Sequence, residues 1–273
     1  MKTVIGDFHV HTLLSPCAEI EMTPHHIVMQ AAEYGIQLLA VTDHNASANA
    51  VAAIQAGERY GIKVFPGMEV ECREEAHIVV LFDNLKQLRR WQKIVDFSMG
   101  GLKNIPERFG AQFVVDDDDN FVAEEERMLL GPLQLSAQEV VRKVNEIGGL
   151  CLAAHIDRPA YSLLVQLGFI PNDMGLQGVE ISRNGLAELE QLKLKRLSGG
   201  LPYVTNSDAH RMLEFLEGPK NKITIEEATI SELKLALAGK KGVVGFRVIL
   251  LMILNIRYTK SIKYTLFILK NDK

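Results

Sequence analysis

Short apolar runs of strand type recur along the chain, at Thr3 to His9, Leu38 to Asp43, Lys63 to Met68, His77 to Phe82, Leu150 to His155, Gly178 to Ser182 and Pro202 to Asn206, with helical patterns between most of them. Strands alternating with helices predict an α/β fold on a parallel sheet or barrel, whose functional groups gather at the C-terminal strand ends. The helices carry their own punctuation. Thr23 caps the first, with Pro24 at its first position and Gly35 closing it. Others run from about Ala46 to Tyr60, Asn84 to Phe97 and Ala137 to Ile147, the last opened by a Ser136/Glu139 capping box. Glu69 and His77 flank the turn Val70 to Ala76, which reads as a hairpin, so the predicted barrel is distorted.

A length of 273 residues suits one large barrel domain, expected over residues 1–241, with a compositionally different tail over 242–273. The tail's apolar run, Val248 to Leu254, is far short of the ~20 residues that cross a bilayer. An added strand, a dimer contact, a poorly ordered end or a basic membrane-surface segment all fit it. Asp116-Asp117-Asp118-Asp119 and Glu124-Glu125-Glu126 bracket an acidic insertion that lacks the Gly and closing Glu of a calcium loop and reads as solvated.

The net charge of −4 hides an acidic body and a basic tail, which argues against charge-driven duplex nucleic-acid binding. The start lacks the features of a signal peptide and the three cysteines form no Cys-x-x-Cys, so a cytoplasmic protein without a disulfide frame or thiolate zinc site is expected.

Six of the eight histidines, His9, His11, His44, His77, His155 and His210, lie at or near the ends of apolar runs. His9 and His11 sit at i and i+2 of a strand, where side chains share a face about 6.5 Å apart and can converge on one ion. Carboxylates join them: Asp43 in Thr42-Asp43-His44, Glu69 in Gly67-Met68-Glu69, and Asp208 in Ser207-Asp208-Ala209-His210. Mixed imidazoles and carboxylates suit Zn²⁺, Mn²⁺ or Fe²⁺ better than Ca²⁺, and the eight candidate ligands, the six histidines with Glu69 and Asp208, exceed the four one structural zinc needs. His25 and His26, adjacent in a first helical turn, point about 100° apart and cannot share an ion.

The motifs Asp7-Phe8-His9-Val10-His11-Thr12, Val41-Thr42-Asp43-His44, Gly67-Met68-Glu69, Ala154-His155 and Ser207-Asp208-Ala209-His210 resemble, in order and spacing, the PHP (polymerase and histidinol phosphatase) superfamily of metal-dependent phosphoesterases. The resemblance implies a distorted seven-stranded β/α barrel holding two or three divalent ions. It implies His9, His11, Glu69 and Asp208 at one ion, Glu69 bridging to a second with His77 and His155, and His44 and His210 at a third with Asp43 close by. Where many relatives carry His or Asp after the first motif, this chain reads Ser15-Pro16-Cys17-Ala18-Glu19, so Glu19 or Cys17 is expected to complete the third site, Glu19 slightly ahead.

Paired ions can acidify a shared water and clamp phosphoryl oxygens, so a bridging hydroxide is the expected nucleophile. Arg158, just past His155, is expected to grip phosphate, and Arg183 is a weaker candidate. Asp43 or His44 could protonate the leaving oxygen. The expected substrate is a nucleotide, a short oligonucleotide end or a small phosphorylated metabolite. Histidinol-phosphate hydrolysis and a non-catalytic metal-binding module are the alternatives within the family; amidohydrolase chemistry fits less well, because Glu69 stands where that group commonly uses a bridging Lys.

Overall fold

The computed structural model describes residues 1–185, 197–239 and 247–250. Strands β1 (Lys2–Val10), β2 (Leu38–Val41) and β3 (Lys63–Glu71) are parallel and joined through α1 (Pro24–Glu33) and α2 (Ala50–Tyr60). β3 turns back into antiparallel β4 (His77–Leu81), as the hairpin pattern predicts, although β3 continues past Met68. Next come α3 (Leu85–Ser98), the short α4 (Pro106–Phe109), the β5–β6 hairpin (Phe113–Val115, Phe121–Glu124) and α5 (Ala137–Ile147). β7 (Leu150–Ala153), α6 (Leu163–Leu167), β8 (Gly178–Glu180), β9 (Tyr203–Val204), α7 (Met212–Glu217), β10 (Pro219–Ile225), α8 (Ile230–Leu237) and β11 (Arg247–Leu250) follow.

The sheet order β10-β1-β2-β3-β4-β7-β8-β9, with β11 outside β10, makes eight strands of a nearly closed barrel. The chain after β9 returns to β1: Val10 bridges to Ala209, and Phe8 N–H donates to Asn206 Oδ1 at 2.9 Å. All seven expected strands are present. β10, β11 and the β5–β6 hairpin are additional, and the expected tail lies outside the described residues except for β11, which pairs antiparallel with β10.

Side-chain alternation sorts the core. Val4, Phe8, Leu38, Ala40, Phe65, Val79, Leu81, Leu150 and Leu152 fill the barrel interior, against Ile230 and Leu233 of α8. The opposite strand faces bury Leu39, Val41 and Val64 against α1 and α2, and Val80, Cys151 and Val179 in the cluster that includes α3 and α5. One end of the interior is polar. Stepping by two along β3 from Phe65 passes Gly67 and arrives at Glu69, and along β4 from Leu81 through Val79 arrives at His77. Gly67 has no room for a side chain, since a Cβ would lie 2.8 Å from Thr42 Cγ2 and 3.0 Å from Leu81 Cδ2.

The insertion is pinned to the barrel. Asn49 Nδ2 donates to Thr12 Oγ1 and Phe113 O, and Asn45 Nδ2 to Leu129 O and Gly131 O. The aspartate run, expected as a solvated loop, is partly engaged: Asp117 and Asp118 pair with Arg59, and Asp119 accepts from Thr23 Oγ1 and His25 N at the start of α1.

Candidate metal centre

A register shift of β1 against β2 between Asp7 and Val10 breaks the strict alternation. Phe8 therefore faces the interior and Val10 the outer cluster, while His9 and His11 both enter the polar end above Phe8. Bulges of this kind commonly re-aim side chains beside active sites. His155 and Asp208 are re-aimed differently, through positive φ values of 30° and 48°, a conformation that costs non-glycine residues of order 1 kcal/mol or more.

Glu69 is the centre of the cluster. Its Oε1 lies 3.2 Å from His9 Nε2, 2.9 Å from His77 Nδ1 and 3.2 Å from His155 Nε2, and its Oε2 lies 3.3 Å from His11 Nε2 and 3.1 Å from His44 Nδ1. Asp208 Oδ1 adds contacts of 3.2 Å to His9 Nε2 and 3.3 Å to His11 Nε2. Three sets have ligand atoms mutually within 4.8 Å: His9, His11, Glu69 and Asp208; His44, Glu69 and His77; and His11, His44 and His210.

Hydrogen bonds behind the rings aim the Nε2 atoms of His9 and His11 inward. His9 Nδ1 donates to Glu180 Oε2 at 3.0 Å, which leaves Nε2 facing Glu69 and Asp208. Ser15 Oγ gives its single proton to Asp43 Oδ1 at 2.7 Å, so it accepts from His11 Nδ1 at 3.0 Å and leaves His11 Nε2 free. His9 Nε2 and His11 Nε2 then face each other at 3.2 Å without exposure to solvent, an arrangement that a shared cation satisfies. The buried His155 Nδ1 also lacks a hydrogen-bond partner among the described residues. This donor set fits divalent ions with mixed nitrogen and oxygen preference.

The electrostatics are balanced. Burial opposes protonation of His9 and His11, but Glu180, Asp208 and Glu69 around the first and Asp208 and Glu69 around the second raise both above the ordinary imidazole value. Burial likewise opposes His77, yet Glu69 and Glu71 bring it to about 9. Burial and the neighbouring His11 push His44 down to about 4 and His210 to about 3, leaving both rings neutral. Against their burial, the imidazoles hold Glu69, Asp208 and Glu180 below the usual carboxylate range.

His44, Glu69, His77, His155, Asp208 and His210 line a pocket of about 280 Å³ that also touches Cys17, Glu71, Leu130, Arg158 and Tyr161. Arg158 Nη2 reaches Asp208 Oδ2 at 2.6 Å from the pocket mouth.

Three candidates stand elsewhere than expected. Asp43 lies behind the candidate ligands, its Oδ1 accepting from Thr12 N and Ser15 Oγ and its Oδ2 from Thr12 Oγ1, and it does not line the pocket. Glu19 turns outward to Arg211 Nε at 2.9 Å, whereas Cys17 lines the pocket. Arg183 is exposed in the 3-10 turn Arg183–Gly185 and does not line the pocket.

The PHP domain family model matches residues 7–167, more than half of the chain. This protein belongs to the PHP family. A phosphoribosyl 1,2-cyclic phosphate 1,2-diphosphodiesterase of Eggerthella lenta is 39% identical over 67 residues, 24% of either chain. The lesion-specific endonuclease EndoQ of Pyrococcus furiosus superposes with a TM-score of 0.65 at 20% identity, over 90% of this chain and 58% of that one. A candidate metal-dependent phosphoesterase of Bifidobacterium adolescentis superposes with a TM-score of 0.53 at 22% identity, over 75% and 87%. The chain thus spans a quarter of the Eggerthella enzyme and somewhat over half of the Pyrococcus one.

Several groups of this PHP site escape sequence reasoning. Glu180, 1% exposed, holds His9 and accepts from Asn206 Nδ2 at 2.7 Å. Lys220, 0% exposed, pairs with Asp7 Oδ2 at 3.0 Å and donates to Phe215 O and Gly218 O. Asp7 Oδ1 in turn accepts from Ser207 N at 3.2 Å, which steadies the loop that carries Asp208 and His210. Tyr161, half-exposed, stacks on His77 with centroids 4.8 Å apart.

Proposed function

We propose that this chain hydrolyses phosphoesters with divalent ions, Mn²⁺, Zn²⁺ or Fe²⁺, held by His9, His11, Glu69 and Asp208, by Glu69, His77 and His155, and by His44 and His210. The observation that carries the reading is Glu69 with five imidazole nitrogens at 2.9–3.3 Å from its carboxylate. Family membership supports metal-dependent phosphoester hydrolysis in general. When bound, such ions acidify water and neutralise charge on phosphoryl oxygens. The chain's own groups do the rest. Glu180 and Ser15 keep the His9 and His11 lone pairs aimed, Arg158 receives a phosphoryl oxygen through its planar fork, and the pocket walls limit how much of the substrate enters.

The substrate class we favour is a nucleotide or an oligonucleotide end, because Arg158 stands at the pocket mouth where a phosphate carrying a large leaving group would arrive. The test is metal analysis with hydrolysis of a chromogenic phosphomonoester, a chromogenic phosphodiester and a nucleotide panel, with each ion supplied separately. Turnover that Glu69→Gln abolishes along with bound metal is the expected result. Full metal occupancy without turnover on any phosphoester would leave a non-catalytic module.

A further inference from the structure

The exposed face of α3 is cationic. Lys86, Arg89, Arg90 and Lys93 are all exposed, and none forms an ion pair among the described residues. At 3.6 residues per turn these positions fall on one side, opposite the buried Leu88, Trp91, Val95 and Ser98. Phe97 continues the same side with 91% of its surface in water. At 1.5 Å per residue the stripe runs about 16 Å from Lys86 to Phe97.

Next to it lies a groove of about 580 Å³ between α3 and α5, lined by Lys93, Phe97, Leu135 and Lys143 among others. Acidic groups nearby are already engaged: Asp96 with Arg127, Glu139 with Ser136, and Glu146 with Arg142. The end of α3 leads toward the metal pocket. Ser98 O accepts from Gln134 N at 2.9 Å and Glu71 O from Leu133 N at 2.9 Å, so one short segment separates this groove from Glu71 on the pocket wall.

We propose that this face of α3 is a docking track for single-stranded nucleic acid, with the four cations following the phosphate backbone and Phe97 stacking a base. A row of cations ending in an exposed aromatic ring is the pairing that single strands use, and duplex bases are not free to stack on Phe97. The acidic remainder of the chain does not cancel the attraction, because at physiological ionic strength charges are screened beyond about 8 Å. The inference rests on the phosphoester reading only for its consequence, that the bound strand is presented to the metal pocket.

The test is fluorescence anisotropy of a labelled oligothymidylate with the full metal-loaded chain, using a phosphorothioate backbone to slow cleavage. Four phosphate contacts on a single strand give a slope of log affinity against log salt of about −3. The variant with Lys86, Arg89, Arg90 and Lys93 all changed to Gln is expected to lose that slope and most of the affinity. Phe97→Ala is expected to weaken binding roughly tenfold. Both variants should keep wild-type melting temperature and wild-type hydrolysis of a small chromogenic phosphodiester. Unchanged oligonucleotide affinity in the Gln variant overturns the proposal, as does preferential binding of a duplex or of anionic vesicles. Failure of the wild type to hydrolyse any phosphoester would instead overturn the phosphoester reading and leave the binding result standing.

Discussion

Loading the metal centre should expel protons, and their number follows from the site's geometry. Without ions, His9, His11 and His77 are raised above the ordinary imidazole value opposite Glu69, Asp208 and Glu180, and His77, at about 9, carries positive charge near neutrality. A cation at the ring nitrogens facing Glu69 needs their lone pairs, so any proton these rings carry must leave, while His44 and His210 are already neutral. His77, at about 9, should therefore release close to one proton at pH 7 on loading, and the raised His9 and His11 should add to it. Apparent metal affinity should rise with pH from about 6.5, levelling off above the value of about 9 for His77. The same shift stabilises the metal-free fold. A raised histidine contributes in full below its unfolded value of 6.5 and loses its contribution as pH rises through about 9, here about 3 kcal/mol for His77. The chelator-treated chain should accordingly lose melting temperature between pH 7 and 9, and the loaded chain should not. Calorimetric titration with Zn²⁺ in buffers of different ionisation enthalpy counts the protons. Release of none would refute the charge-balanced cluster.

Three other perturbations separate the ligands from the groups behind them. Glu180→Gln removes the charged acceptor of His9 Nδ1 and should lower metal affinity by roughly 10- to 100-fold in a chelator competition; unaltered affinity would show that His9 needs no such orientation. Lys220→Met leaves Asp7 buried without its partner and should cost about 3–5 kcal/mol in denaturant unfolding, with Asp7→Asn in the same chain recovering most of it. Strictly additive losses would contradict the pairing. Arg158→Ala should reduce kcat/KM on phosphoesters by roughly tenfold to a hundredfold at unchanged metal content, the loss expected for one charged hydrogen bond; a parallel fall in bound metal would mean that Arg158 serves Asp208 and not the substrate.

What the amino-acid order makes legible is the set of groups that converge around Glu69, and the reason is geometric. Each of His9, His11, Glu69, His77 and His155 lies within or at an end of an apolar run that must be buried; strand alternation aims Glu69 and His77 into the barrel, the β1 register shift turns in His9 and His11, and a positive φ turns in His155. Glu180 obeys the same rule, since Val179 and Ile181 on either side belong to the outer cluster and force it inward. One glutamate before a loop nonetheless reads as a solvated charge. Lys220 had no local signal at all. Pro219 to Ile225 places Lys220, Lys222 and Thr224 on one face like an exposed edge, and what buries Lys220 but leaves Lys222 exposed is Asp7, more than two hundred positions away in the chain. Arg158 and Arg183 each follow a strand end and look equivalent. A turn closed by Arg158 N–H on His155 O at 2.9 Å keeps the first over the pocket, whereas the 3-10 turn carries the second outward. Glu19 and Cys17 diverge for a similar reason, because Arg211, from the other end of the chain, claims the carboxylate. The ligands can thus be read from local pattern, while the groups that fix their tautomers and loops come from distant strands and become visible only when the barrel closes.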